Sequence, residues 1–344
     1  MKAIGYLEPQ SIEHEKALLD VELPMPEARG RDLLVKIRAV SVNPVDVKVR
    51  ANMGTEGDVP KVLGWDAVGE VVAVGESTEL FNVGDVVWYA GDFTRAGSNA
   101  EFQLVDERIV GKKPASLTAA QAAALPLTTL TAWELLFDRL GFQPFLEQSD
   151  STQDEPAQLL IVGAAGGVGS ILVQLARQLT NITVIATASR ESSQAWVTRL
   201  GAHHVINHHE PLLPQLQAQG IESVSHVISL NQTDQHFDQL IEALAPQGKF
   251  ALIDDPKTPL DVMKLKFKSL SLHWEMMFTR SMYQTKDMQA QHDILNTVAE
   301  LIDDGVIVTT LGEHYGQINA ENLKRAHAHI ESNQALGKIV LEGF

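Results

Sequence analysis

The stretch LLIVGAAGGVGSILVQLAR, residues 159–177, constrains this chain more than any other. A short apolar run breaks into glycine and alanine, and apolar positions then resume at helical spacing, so a strand runs through a tight turn into a helix. Ala164, Gly166 and Gly169 hold the spacing of a dinucleotide-binding fingerprint, with alanine in the first glycine's place. Glycine matters here because backbone N–H groups at a helix start must approach a pyrophosphate closely. The candidate contacts are therefore Ala165, Gly166, Gly167, Val168 and Gly169.

Beyond this turn the pattern alternates. LLIVG, TVIATA, HVIN, HVISL and KFALID read as strands, and GSILVQLARQL, ESSQAWVTRLG and DQHFDQLIEAL as helices. This predicts an α/β unit of Rossmann type, a doubly wound parallel sheet with helices on both faces. Residues 1–127 differ: DLLVKIRAVSV and AVGEVVAVGE are strand-like, and Gly64, Gly69, Gly75 and Gly84 interrupt at short intervals, as in a compact β-rich barrel. SLTAAQAAALPLTTLTAWELLF then turns helical, with a break expected at Pro126. Residues 143–157 are polar and acidic and read as a solvated loop. After residue 275 come a helix and a final strand in GKIVLEGF, a tail too short to fold alone. With 344 residues, more than one core normally accommodates, the chain divides into 1–127 plus 275–344, and 128–274, with a cleft expected between two lobes.

Composition narrows the function classes. A net charge of −17 opposes nucleic acid and anionic lipid as partners. The absence of cysteine removes disulfides, thiolate nucleophiles and every cysteine-based metal site. No leader-like start and no apolar run of about 18 residues is seen, which points to the cytoplasm.

The strand after the glycine turn ends in TASRE. A carboxylate at such a strand end binds a ribose 2′-hydroxyl and favours NAD, whereas Ser189 and Arg190 suit a 2′-phosphate and favour NADPH. Glu191 keeps the NAD reading open, because a one-residue shift would bring a carboxylate to the ribose. Leu230, Asn231, Ile253 and Asp254 lie at the ends of later strands, where this fold places ligands.

Along its whole length the chain resembles the medium-chain dehydrogenase/reductase superfamily, most closely its zinc-free quinone-oxidoreductase-like branch. SVNPVDVKVR, VLGWDAVGEVVAVG, FNVGDVVWYAG, AAALPLTTLTAWELL, GAAGGVG, TASR, LGAHHVIN and GKIVL come in the family's order. Within it, GWDAVG, VWYAGDFTRAGSNAEFQLVDERIVG and LHWEMMFTR resemble a subgroup often labelled zinc-type alcohol dehydrogenase-like. The resemblance implies a GroES-like β-rich catalytic domain beside the Rossmann domain, with a nicotinamide facing the cleft. In the family's alcohol dehydrogenases a cysteine opens one metal-binding segment and a His-Glu pair another. Asn43 and Trp65-Asp66 stand in those places here, so no metal is expected.

By family position Asn43 is expected near nicotinamide and substrate, with Asp46 bracing its loop. Thr128 and Thr131 resemble contacts on the nicotinamide side, and Lys338 one that reaches cofactor phosphate. Tyr89 is the best candidate proton donor, and Trp65, Trp88, Tyr89, Trp274 and Phe278 are candidate walls for a planar acceptor. His203, His204, His208 and His209 read as surface residues, since adjacent strand positions face opposite ways and chelate poorly.

Without a Lewis acid, alcohol oxidation is the harder chemistry. An electron-poor quinone or α,β-unsaturated carbonyl needs only a positioned hydride donor and a hydrogen bond. The expected function is an NADPH-dependent, zinc-independent oxidoreductase acting on such an acceptor. Two other readings stand beside it: a zinc-type alcohol or aldehyde dehydrogenase with an unusual metal site, and a non-catalytic NADPH-binding protein. The resemblance also implies a homodimer, since the family often pairs through the edge of its Rossmann sheet.

Overall fold

A computed structural model describes residues 1–55, 57–145 and 156–344. Residues 146–155 of the expected solvated loop lie outside them. The chain forms two compact units, Thr131–Met276 and, from two separate stretches, Met1–Leu130 with Met277–Phe344.

The continuous unit is built on six strands: β9 (Gln158–Val162), β10 (Thr183–Thr187), β11 (His204–Ile206), β12 (Val224–Ser229), β13 (Leu244–Leu252) and β14 (Ser271–Trp274). They form one parallel sheet in the order β11-β10-β9-β12-β13-β14. Because both faces are covered, β9 and β10 are buried almost throughout and read as unbroken apolar runs rather than alternating ones. Helix Gly167–Leu179 buries Ile171, Leu172, Leu175 and Leu179, a helical stripe in which each side chain contributes roughly 2 kcal/mol of apolar burial. Neighbouring β9 and β12 mark the point where the chain reverses its direction of travel across the sheet, and their carboxyl ends open the crevice where such folds bind ligands. Strand β14 escapes the sequence pattern: it is only four residues long, at the sheet edge, with none of them buried.

The other unit holds the remaining strands: β1 (Lys2–Tyr6), β2 (Leu19–Glu22), β3 (Asp32–Val42), β4 (Lys61–Val62), β5 (Ala67–Val74), β6 (Val86–Tyr89), β7 (Phe102–Asp106), β8 (Val110–Lys112), β15 (Leu311–His314) and β16 (Lys338–Glu342). One sheet runs β15-β16-β3-β5-β6-β8, with β7 also pairing β3, and a second runs β2-β1-β4. The eleven-residue β3 organises the first sheet. It shifts register twice against β5 and receives β16 antiparallel, with Ile339 opposite Val42. Pro126 separates helix Ala119–Ala123 from helix Pro126–Trp133, which it opens at the position where no N–H is needed, and a π-helical turn over Glu134–Arg139 comes next. Among the described residues no helix is long and apolar enough to cross a membrane.

Candidate nucleotide turn and polar cluster

In the Rossmann unit, β9 ends at Val162 and the chain turns through Gly163, whose φ of +79° lies in the left-handed region. Its N–H donates to Thr187 Oγ1 at 3.2 Å, tying the turn to the end of β10. Gly166 caps helix Gly167–Leu179, whose first-turn N–H groups have no acceptor within the helix. The two fingerprint glycines differ physically. A Cβ on Gly169 would lie 2.4 Å from Ala164 O, so this glycine lets helix and turn pack closely. A Cβ on Gly166 would meet nothing nearer than Gly163 O at 3.5 Å, so that side is open, and Ala165, Gly166, Gly167 and Val168 are all partly exposed. An open cradle of N–H donors at a positive helix end fits a pyrophosphate.

Past β10, Ser189 is half-buried and Arg190 exposed, directly before helix Glu191–Arg199. The Arg190 N–H donates to Ser193 Oγ at 3.1 Å, which fixes the backbone from which the guanidinium projects. Glu191 is the first residue of that helix and is exposed. Leu230 donates its N–H to Val162 O at 3.2 Å, and Asn231 comes next on the crevice side, close above Gly163. Ile253, just beyond β13, is half-buried. Asp254 receives the Thr233 N–H at 3.0 Å and its hydroxyl, so it anchors a helix start.

In the β-rich unit the NPVD segment starts helix Pro44–Asn52. Asp46 Oδ2 accepts the Asn43 N–H at 2.8 Å, and Asp46 N–H donates back to Asn43 O. Asp46 is buried, and that burial pushes its carboxyl up to about 7. The Asn43 N–H and the Lys338 ammonium pull it down, and Asp66 pushes it up again. Asn43 Nδ2 donates to Asp66 Oδ2 at 2.7 Å and, over a longer 3.4 Å, to Trp65 O. Of the two, the N–H facing Trp65 O is the more weakly held. Asp66 Oδ2 also accepts from Ser41 Oγ at 2.8 Å and Lys338 Nζ at 2.9 Å, and Oδ1 accepts the Leu127 N–H at 2.7 Å. Trp65 stacks on Phe93 at 5.4 Å, and Phe278 leans on both rings.

Several sequence expectations change. Lys338 is buried, and its three N–H donors go to Val42 O, Asn43 Oδ1 and Asp66 Oδ2, so none remains for a cofactor phosphate. Tyr89 is a core residue rather than a proton donor: it is wholly buried and its hydroxyl donates to Gln103 Oε1 at 2.9 Å. Burial pushes its pKa far above the ordinary phenol range. Trp88 is likewise core. Thr128 is buried and its hydroxyl donates to Leu125 O at 3.0 Å, and Thr131 is buried in its helix. Of the expected aromatic walls, Trp65 and Phe278 meet, and Phe93 is the partner the sequence left unmarked. Trp274 stands on the edge strand β14 of the other unit, 54% exposed. His208 is no plain surface residue. Its ring lies 4.4 Å from that of His209 and 5.8 Å from buried His236, and burial lowers its pKa to about 4.

Known proteins match both units. Residues 29–115 fit the alcohol dehydrogenase GroES-like domain and residues 200–341 a zinc-binding dehydrogenase domain. A zinc-type alcohol dehydrogenase-like protein of Staphylococcus aureus (strain MSSA476) is 38% identical over 99% of both chains. The chain belongs to the medium-chain dehydrogenase/reductase superfamily. A solved structure from Rhizobium etli CFN 42, described as a putative zinc-dependent alcohol dehydrogenase, is 52% identical, with a TM-score of 0.94 covering 100% of this chain and 98% of that one. A quinone oxidoreductase from Coxiella burnetii is 26% identical, with a TM-score of 0.80 over 100% and 99% of the two chains. The 2-methylene-furan-3-one reductase of tomato (Solanum lycopersicum) is 34% identical over 60% of this chain and 52% of its own length. As a member of this superfamily the chain is an oxidoreductase, of the zinc-free, quinone-oxidoreductase-like branch.

The zinc in some of these names does not fit the residues present. Asn43 and Trp65 replace a thiolate and an imidazole, and the Trp65 ring is sealed at 1% exposure. The remaining carboxylate, Asp66, is saturated by four donors. Among the described residues no three histidine or acidic side chains are grouped to hold a metal ion.

Proposed function

We propose that the chain is an NADPH-dependent, zinc-independent reductase of quinones or α,β-unsaturated carbonyls. The observation that carries this reading is the end of β10, where Ser189 and exposed Arg190 stand beside an open glycine cradle and offer a hydroxyl and a guanidinium fork to a 2′-phosphate. The names of the Coxiella and tomato relatives support the acceptor class.

Ala165 to Gly169 would hold the pyrophosphate, Ser189 and Arg190 the ribose phosphate, and Leu230, Asn231 and Ile253 the strand-end side of the cofactor. Bound NADPH supplies a hydride to an electron-poor carbon. Asn43, its amide held in place, offers the N–H now weakly held by Trp65 O to the acceptor carbonyl, favouring the negative charge that develops on its oxygen. Thr128 and Thr131 shape the nicotinamide side. With Tyr89 sealed in the core, solvent delivers the proton that completes the two-electron reduction.

The protein is a cytoplasmic homodimer in this reading, paired through the exposed edge of β14. No nucleic acid or membrane takes part. The test is NADPH oxidation with a quinone and an enone panel, with and without a chelator. Turnover unaffected by the chelator is expected, together with at least a tenfold loss of NADPH affinity in Arg190→Ala and little change for NADH. Unchanged NADPH affinity in that variant discards the 2′-phosphate contact, and a silent panel despite tight NADPH binding discards the reductase.

A further inference from the structure

Inside the β-rich unit three oxygen atoms converge on one point away from water. They are Val42 O at the end of β3, Asn43 Oδ1 at the start of helix Pro44–Asn52, and Asp66 Oδ2 ahead of β5. At that point stands Lys338 Nζ, the first residue of β16, donating to all three. Asn43, Asp66 and Lys338 are each at most 3% exposed. A carboxylate taken this far out of water needs a matched cation and filled lone pairs. Asp66 has both: Ser41, Asn43, Leu127 and Lys338 supply every donor it takes.

The two segments that close this pocket, Asn43 and Trp65-Asp66, occupy the two sequence places where the family's alcohol dehydrogenases keep metal ligands. We propose that Lys338 is the resident cation of this unit, an ammonium standing in for the metal, and that it positions the Asn43 amide with its oxygen inward and its N–H groups toward Asp66 and Trp65. An ammonium carries three donors and no vacant coordination position, so it supplies the charge a metal would bring without any ligand exchange. Amide orientation then comes from chemistry: Oδ1 must face the ammonium, and Nδ2 must face the carboxylate. The inference stands on the geometry of one unit and does not depend on which acceptor the enzyme reduces.

The test removes the cation and offers replacements. Lys338→Ala should lose about 10 °C or more in melting temperature, as expected for an unpaired buried carboxylate. Ethyl- or propylammonium chloride should restore part of that loss, whereas potassium chloride, tetramethylammonium chloride and zinc chloride should not. Restoration by zinc but not by a primary ammonium overturns the proposal. So does stoichiometric zinc, found by elemental analysis of the wild-type protein, whose removal lowers the melting temperature. Should Lys338→Ala fail to fold, the pair Lys338→Met and Asp66→Asn decides. The double variant melting above both single variants supports charge matching, and one melting at or below the worse single variant overturns it. A positioning role also predicts that alkylammonium restores kcat of Lys338→Ala while NADPH affinity stays at the wild-type level throughout. Restored melting without restored kcat removes the positioning half of the proposal.

Discussion

The side-chain oxygen of Asn231 lies 2.6 Å from where a Cβ on Gly163 would stand. Two strand ends thus share one small space at the mouth of the glycine turn. Gly163→Ala meets both a left-handed backbone at φ +79° and this collision, so a loss of at least about 2 kcal/mol in denaturant unfolding is expected. Adding Asn231→Ala should recover the steric share and leave the backbone share. A neutral Gly163→Ala would show that the turn relaxes freely.

Gly166 and Gly169 should separate stability from binding. Gly169→Ala drives a methyl into the Ala164 backbone and should lower the melting temperature by several degrees. Gly166→Ala meets open space, so stability should change by about 1 kcal/mol or less while dinucleotide affinity falls at least tenfold. Calorimetric binding and thermal melting of both variants check this, and equal effects in the two would deny the cradle its ligand.

Asp46 predicts an alkaline-side loss of stability. Its carboxyl is raised in the fold to about 7 from an ordinary value near 4, so the folded state holds a proton that the unfolded chain releases. Its stabilising share is complete below about pH 4 and is lost as pH rises through about 7, an upper bound of about 4 kcal/mol. Asp46→Asn removes this dependence, so its melting temperature relative to wild type should be higher at pH 8 than at pH 4.5. A constant offset would show that Asp46 is ionised throughout.

His327 predicts the opposite slope. Its imidazole is buried on helix Ala320–Glu331, with neither ring nitrogen bonded, and burial, then the nearby Arg50 charge, lowers its pKa to about 3. The folded protein keeps it neutral, so its share of stability is present above about pH 6.5 and is lost as pH falls toward 3. His327→Phe should flatten the melting-temperature decline between pH 6.5 and 4. An unchanged decline would assign it to other groups, such as His208 and His226, which burial also holds down to about 4.

Tyr89→Phe should leave kcat unaltered and cost about 1 kcal/mol, the share of one buried hydrogen bond to Gln103. A large fall in kcat with normal stability would return Tyr89 to the chemistry.

The parts of this fold written locally were legible in the sequence. DLLVKIRAVSV matches β3 residue for residue, because a long strand buried on most positions must be rich in apolar and β-branched residues. The glycine turn announced itself because only glycine tolerates the contacts at Gly163 and Gly169. What stayed hidden depends on distance along the chain. Lys338 and Asp66 are 272 residues apart, so nothing near GKIVL signals that its ammonium is spent on an internal carboxylate. The two aromatics in VVWY look alike in sequence whether they line a pocket or a core, and Phe93 gains meaning only through its stack on Trp65. Edge strand β14 lacked a signal because one paired flank demands little apolar surface.

The cage around Lys338 also dictates an order of assembly. Asp66 precedes its counter-ion by 272 residues, and the whole Rossmann unit, Thr131–Met276, is synthesised between them. Until β16 docks beside β3, the sheet that holds Asp66 carries a carboxylate without its matched cation. Packing around Asp66 is therefore completed only by a stretch translated after the intervening unit.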